Sequence, residues 1–252
     1  MNKIIVGDQI VKRYGTGGES RQVLDRVSVE IGKGEFVAVM GPSGSGKSTL
    51  MFCLSGMDAI DEGVVLYNGK PLSQMGEVEL ADLRRRRMGF VFQQPTLLRN
   101  LNVLDNILLP SLRDNRKRVA ELTDKARSLM KRVGIAGLES REITQVSGGQ
   151  LQRVGICRAL MGDPDIIFGD EPTGALNSAS AQEMMELFTA IHAEGTAIML
   201  VTHDAQVAAR AERVLFMRDG AIVSELLLSR YRQEEAAARV SRITERMTSL
   251  GV

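Results

Sequence analysis

The sequence predicts an α/β fold, a mixed and mainly parallel sheet with helices packed on it. Three observations carry that reading. Short apolar runs of the buried-strand kind recur at residues 35–40, 166–168 and 197–201, as expected of strands covered on both faces. Helix-period segments stand between them, over 94–162 and near 179–193, and such alternation is how parallel sheets are wound. A glycine-rich loop joins the first apolar run to a helix at 47–57, giving a strand, loop, helix order.

Taken in order, the first forty residues read as short strands. Residues 23–31 (VLDRVSVEI) alternate apolar and polar, as a half-buried strand does. Gly32-Lys33-Gly34 turns the chain into the buried run at 35–40. Residues 83–92 pass from the cluster Arg84 to Arg87 into the strand Met88-Gly89-Phe90-Val91-Phe92. The cluster reads as a solvated helix end, as does the basic stretch at 113–118. The pattern is then helical from 94 to about 162, with 119–133 the clearest amphipathic stretch. So long an insertion between strands predicts a subdomain projecting from the sheet. Short strands at 214–217 and 221–223 flank the turn Arg218-Asp219-Gly220. In the tail, Ala236, Val240, Ile243, Met247 and Leu250 form a narrow apolar helical seam. It is expected to pack on its own domain, with docking onto a partner or a second copy as the alternative.

The 252 residues are 44% hydrophobic and 25% charged, which excludes a disordered chain. Thirty-two Lys and Arg against 31 Asp and Glu leave a net charge of +1, so no global attraction to nucleic acid is expected. Cys53 and Cys157 lie far apart and form no CxxC, which suggests neither a disulfide framework nor a zinc site. No apolar run approaches the ~20 residues of a membrane span, and the amino terminus turns polar too early for a secretion signal. The expectation is a soluble, cytoplasmic protein.

Gly41-Pro42-Ser43-Gly44-Ser45-Gly46-Lys47-Ser48 fits the G-x-x-x-x-G-K-[ST] phosphate loop, with Thr49 following in the helix. Glycines let successive N–H groups and the helix N-terminus face an anion closely. Lys47 is placed to reach β- and γ-phosphates, and Ser48 to offer its hydroxyl to Mg²⁺. The loop indicates nucleotide binding and no more.

Residues 165–171 (DIIFGDE) form an apolar strand ending in two carboxylates. Asp170 suits Mg²⁺ ligation. Glu171 suits orienting or deprotonating the attacking water. Without the phosphate loop, the same pair would read as a solvated loop. Ser147-Gly148-Gly149-Gln150 opens a helix and offers a second anion site. It makes sense if two copies face each other, each completing the other's pocket; on its own it reads as an N-capped helix. Of the two histidines, His192 reads as an ordinary core or surface residue. His203 directly follows a strand, and its neutral imidazole suits a hydrogen bond to a phosphate oxygen or to the attacking water.

These pieces, in this order, resemble the nucleotide-binding domain of ABC transporters over nearly the whole chain. The resemblance makes the phosphate loop the Walker A element, Asp170 the Walker B aspartate and Glu171 the catalytic glutamate. Ser147-Gly148-Gly149-Gln150 matches the family signature, with Val146 where Leu is usual. Gln93 matches the glutamine that senses Mg²⁺ and the permease, His203 the switch histidine, and Tyr14 the aromatic that stacks on adenine. Val23 lies where an apolar residue touches the nucleoside. The stretches at 89–93 (GFVFQ) and 170–176 (DEPTGAL) resemble the macrolide-export, lipoprotein-release and cell-division branch. Asn177, where Asp is usual, resembles its bacitracin-resistance group; Asn keeps the hydrogen-bonding reach and loses the charge.

The resemblance implies a P-loop NTPase (RecA-like) core with an antiparallel β-subdomain and an α-helical signature subdomain. It implies an ATP-binding unit over 4–223, with the helical subdomain at about 94–162 and a C-terminal helical extension at 224–252. It further implies ATP and Mg²⁺ as cofactors, and a nucleotide-sandwich dimer with a second copy. A polytopic membrane permease would hold the pair on the inner face of the cell membrane. The alternative is a non-transport ABC ATPase acting on DNA or ribosomes. The spacing from Lys47 to Ser147 leaves no room for the long coiled coil of the DNA-repair types, and the translation-factor types carry two such domains in one chain.

Overall fold

Two sheets organise the chain in the computed structural model, which describes residues 2–15, 20–113 and 116–251. The central sheet has six strands: β3 (Phe36–Met40), β6 (Met88–Phe92), β7 (Ile166–Asp170), β8 (Ala197–Val201), β9 (Arg213–Arg218) and β10 (Ala221–Leu227). Their spatial order is β10-β9-β3-β8-β7-β6. All neighbours are parallel except the β9–β10 hairpin. The second sheet is antiparallel, in the order β2-β1-β4-β5, with β1 (Lys3–Tyr14), β2 (Arg21–Gly32), β4 (Glu62–Tyr67) and β5 (Lys70–Pro71). Of the short strands expected in the first forty residues, the run at 35–40 is the short strand β3, whereas the residues before it form two strands of twelve residues each, whose register shifts several times along the pair. Those shifts break the period-2 pattern that would reveal one long strand in sequence.

The central strands alternate between two cores. On β3, Phe36, Ala38 and Met40 face one core while Val37 and Val39 face the other. On β8, Ile198 and Leu200 divide in the same way from Ala197, Met199 and Val201. Both faces are dry, so these strands read as continuous apolar runs. One core is roofed by α3 (Val103–Leu112), α4 (Val119–Arg132), α5 (Gly148–Leu160) and α6 (Ser178–Ala193). The other lies under α1 (Lys47–Leu54) and the antiparallel sheet.

The arginine cluster ends α2 (Glu77–Arg87), which carries Glu77 and Glu79 in its first turn, a charge order that suits the helix dipole. Only part of the cluster is solvated. Arg84 donates to Gly56 O at 2.6 Å, and Arg85 donates to the Asp82 carboxylate at 2.8 Å. Of the 113–118 stretch, residues 114 and 115 lie outside the described residues. The tail forms α8 (Ala236–Leu250), with Ile243 fully buried and Val240, Met247 and Leu250 against the same core as α6. Its seam therefore packs on its own chain. Cys53 and Cys157 are both buried, and burial pushes each thiol up to about 12.

Candidate active site

The phosphate loop lies between the end of β3 and the start of α1, where two neighbours hold it. Gly46 has φ +97°, and a Cβ there would stand 2.8 Å from Val23 O. Gly220, in the β9–β10 turn, has φ +79°, and its Cβ would stand 2.6 Å from the same oxygen. The Gly220 amide donates to Ser45 O at 3.2 Å, and the Asp25 amide donates to Gly220 O at 3.0 Å. The start of β2, the loop and the hairpin turn are thus stitched together at positions where only glycine fits.

That stitching shapes a cleft of about 430 Å³. Tyr14, Val23, Gly44, Gly46, Lys47, Ser48 and Thr49 line it, as the resemblance implies for a nucleotide. Arg21, Gln22, Asp219 and Gly220 line it too; sequence reasoning saw the last two only as a turn, because their role comes from tertiary contact. Gly41 and Ser43 belong to the same loop outside the lining, and the buried Ser45 hydroxyl has no hydrogen-bond partner among the described residues. Tyr14 is 43% exposed. Its hydroxyl donates to the Asp58 carboxylate, and the Lys12 ammonium sits 4.9 Å from its ring centroid.

The register of the central sheet sets the carboxylates. Asp170 ends β7, paired with Phe92 on one side and Val201 on the other. The Ser48 hydroxyl donates to Asp170 Oδ1 at 2.9 Å. Burial holds the Asp170 carboxyl above its ordinary range, opposed by that hydrogen bond. Burial likewise lowers Lys47, opposed by Glu171 and Asp170. Lys47 itself donates to Gly41 O and Pro42 O, both at 2.9 Å. Asp170 and Glu171, outside the lining of the cleft, thus place negative charge, partly desolvated for Asp170, beside Lys47.

Glu171 is turned out of the strand by a left-handed backbone, φ +46°, and its amide donates to Val201 O at 2.9 Å. His203 follows β8, and its Nδ1 donates to Glu171 Oε1 at 3.0 Å. Gln93 follows β6; its side-chain nitrogen packs close to Gly174, where an added Cβ would stand 2.8 Å from it. Its main chain is fixed by Gln152, whose amide donates to Gln93 O at 2.6 Å. His192 is elsewhere, its Nε2 donating to Gly34 O at 2.9 Å and its ring packed edge-on against Phe36.

Ser147, Gly148, Gly149 and Gln150 lie outside this cleft, at the start of α5. Ser147 and Gln150 cap that helix reciprocally. A Cβ on Gly149 would lie 3.5 Å from Ser180 Oγ, so this loop adjoins the start of α6. There the Asn177 side chain accepts from the Ser180 amide at 2.9 Å. The chain therefore carries a cleft and, apart from it, a paired edge of two capped loops.

Residues 24–174 match the ABC transporter family. The macrolide export ATP-binding/permease protein MacB of Pasteurella multocida is 39% identical over 232 residues, covering 92% of this chain and 36% of that protein. Its counterpart in Chlorobaculum tepidum is 43% identical over 216 residues, covering 86% and 33%. The chain thus spans about a third of the length of these relatives. An ATP-binding cassette solved as a dimer in a post-hydrolysis state with ADP and Pi is 35% identical, with a TM-score of 0.83 over 90% of this chain and 100% of that one. The chain belongs to the ABC transporter family and has the P-loop NTPase fold of its ATP-binding cassettes.

Proposed function

We propose that this cassette binds ATP with Mg²⁺ in the cleft beside Tyr14 and hydrolyses it in a sandwich with a second copy. In this reading it drives a separate polytopic permease that exports a drug, antimicrobial peptide or lipoprotein, or transmits mechanical work across the membrane. The observation that carries it is one site holding two matched pairs: Ser48 with Asp170, and Glu171 with His203.

Each residue then has a task. Tyr14 stacks on the adenine, and Val23 borders the nucleoside. Gly41, Ser43, Gly44, Ser45, Gly46 and Thr49 shape the loop whose N–H groups hold the phosphates, and Lys47 exchanges its two carbonyl partners for phosphate oxygens. The Ser48 hydroxyl and the Asp170 carboxylate are hard oxygen donors 2.9 Å apart. They fit Mg²⁺, which takes one or two protein oxygens and leaves its other positions to phosphate and water. Bound there beside Gln93, Mg²⁺ would neutralise charge developing on the phosphates. Glu171 accepts the proton of the attacking water. With Nδ1 donating to Glu171, the neutral His203 ring keeps Nε2 as an acceptor for that water.

The edge formed by Ser147, Gly148, Gly149, Gln150 and Asn177 lies outside its own cleft, which suits it to the phosphates held by the second copy. The ATP-binding unit expected over 4–223 extends in this reading to Leu227, because β10 (Ala221–Leu227) crosses the expected boundary, and the helical extension follows it. Among the described residues no helix is long and apolar enough to cross a membrane. Attachment to the inner face of the cell membrane then comes through the permease, as the ATP-binding/permease architecture named for its relatives suggests.

The test is a pull-down of tagged Glu171→Gln protein, with ATP, from detergent-solubilised membranes. A co-purifying polytopic membrane protein is the expected result. Recovery of ribosomes or DNA alone would favour the non-transport ABC ATPase reading instead.

A further inference from the structure

Arg239, in the first turns of α8, is only 3% exposed, and guanidinium groups are seldom buried so fully. Its ion-pair partner Glu235 is 3.8 Å away. Its shorter hydrogen bonds go to the main chain: Nε donates to Ala209 O at 2.7 Å, Nη2 to Ala211 O at 2.5 Å and Nη1 to Ser229 O at 2.7 Å, with a longer one from Nη1 to Ser229 Oγ at 3.4 Å. Ala209 is the C-cap of the short helix α7 (Ala205–Ala208) and Ala211 lies three residues past its end, where carbonyls have no further turn to receive them. A buried cation is well suited to that end of a helix.

This helix begins two residues after His203, and the segment between is tightly bonded. Thr202 Oγ1 accepts from the Asp204 amide at 3.0 Å, the Asp204 carboxylate from the Gln206 amide at 2.7 Å, and Asp204 O from the Ala208 amide at 3.0 Å. A displacement at Ala209 is therefore passed toward His203 rather than absorbed on the way. The His203 side chain is 68% exposed, so its aim comes from its backbone rather than from surrounding packing. One end of that backbone is fixed to the sheet, where the Thr202 amide donates to Val39 O at 3.0 Å. The other end is held by Arg239. The arrangement borders a single cavity running from Glu171 and His203 to Tyr231 and Val240, and Tyr231 lies over both Arg210 and Arg239.

We propose that Arg239 is a positioning residue for ATP hydrolysis: through this guanidinium the C-terminal helix holds α7, and with it His203, within reach of Glu171. The inference rests on the hydrolytic roles given above to Glu171 and His203. It takes α8, which lies beyond the stretch matching the family, into the hydrolytic apparatus.

Steady-state ATP turnover by the full chain tests it. Arg239→Met keeps the bulk and loses the donors. The expected result is a kcat lower by about tenfold, the scale of a modest misplacement of a reacting group, with KM for ATP unchanged. Arg239→Lys, which keeps the charge and reaches fewer carbonyls, should fall between that variant and wild type. Ile243→Ala loosens the same helix and leaves the Arg239 donors in place; it should lower Tm without changing kcat per folded molecule. A wild-type kcat in folded Arg239→Met, or an equal loss of kcat in Ile243→Ala, overturns the proposal. If Arg239→Met does not fold, Arg239→Lys decides: a reduced kcat at unchanged KM supports the proposal, and a wild-type kcat overturns it. Absence of turnover in the wild type would instead overturn the hydrolytic reading itself.

Discussion

His203 Nδ1 stands 3.0 Å from Glu171 Oε1 across 32 residues of sequence. Adjacent parallel strands bring them together. Asp170 pairs with Val201, so each residue of the pair leaves the sheet at the same end. The contact fixes the imidazole tautomer, because an ionised carboxylate can only accept. If the pair acts on one water, its members are not independent. Glu171→Gln and His203→Ala should each lower kcat by about 10²-fold or more, and the double variant should fall little below the worse single one. Both singles should still bind ATP. Multiplicative losses in the double variant would show that the residues serve separate steps.

Asp170 gives a prediction about stability and pH. Burial raises its carboxyl above 3.8, so the folded state binds its proton more tightly than the unfolded state does. Ionised Asp170 therefore costs stability at neutral pH, and that cost disappears as pH falls toward 3.8. Asp170→Asn keeps an oxygen to accept from the Ser48 hydroxyl and removes the buried charge. The nucleotide-free variant should melt above wild type at pH 7.5, with the difference narrowing under acid. The same variant should lose the extra stabilisation that Mg²⁺ adds to bound ATP. Thermal melts with and without MgATP across pH check both halves.

The site was more legible in the sequence than the sheet that carries it. Lys47, Ser48, Asp170 and Glu171 announce themselves because phosphate and Mg²⁺ chemistry needs those groups in fixed local patterns. The antiparallel strands β4 and β5, and the body of α2, announced nothing. No residue of α2 is fully buried; Leu80 and Leu83 alone pack against the core, too few to read as an apolar stripe. Gly169 is explained by packing that the sequence does not display: a Cβ there would lie 2.3 Å from Leu200 Cδ2. Arg84, read as solvated, serves a carbonyl that sequence cannot place beside it.

Asn177 stands where the family usually has Asp, and here its side-chain oxygen caps α6 through the Ser180 amide. Asn and Asp are nearly equal caps, and Asp adds a charge favourable at a helix N-terminus. Asn177→Asp should match or slightly exceed wild-type stability, while Asn177→Ala should lose about 1 kcal/mol. Urea unfolding at constant m-value measures both. A stable Ala variant would mean that the capping bond contributes little, leaving the position to the role proposed for it at the edge facing a second copy.

Gly220 lies outside the stretch matching the family, yet it holds the phosphate loop from behind. Its amide donates to Ser45 O, and its φ of +79° leaves a Cβ only 2.6 Å from Val23 O. Gly220→Ala therefore meets two obstacles. The left-handed backbone costs about 1–2 kcal/mol for a residue with a Cβ, and the clash forces β2 and the hairpin turn apart. Gly137→Ala separates the two effects, since Gly137 has φ +87° and nothing within 4 Å of its Cβ position. Both variants should lose stability, but only Gly220→Ala should open the cleft and weaken ATP, by about tenfold if ~1.4 kcal/mol of loop order is lost. Titration with a fluorescent ATP analogue makes the comparison. Equal affinities in the two variants would mean that the loop keeps its shape without the hairpin turn behind it.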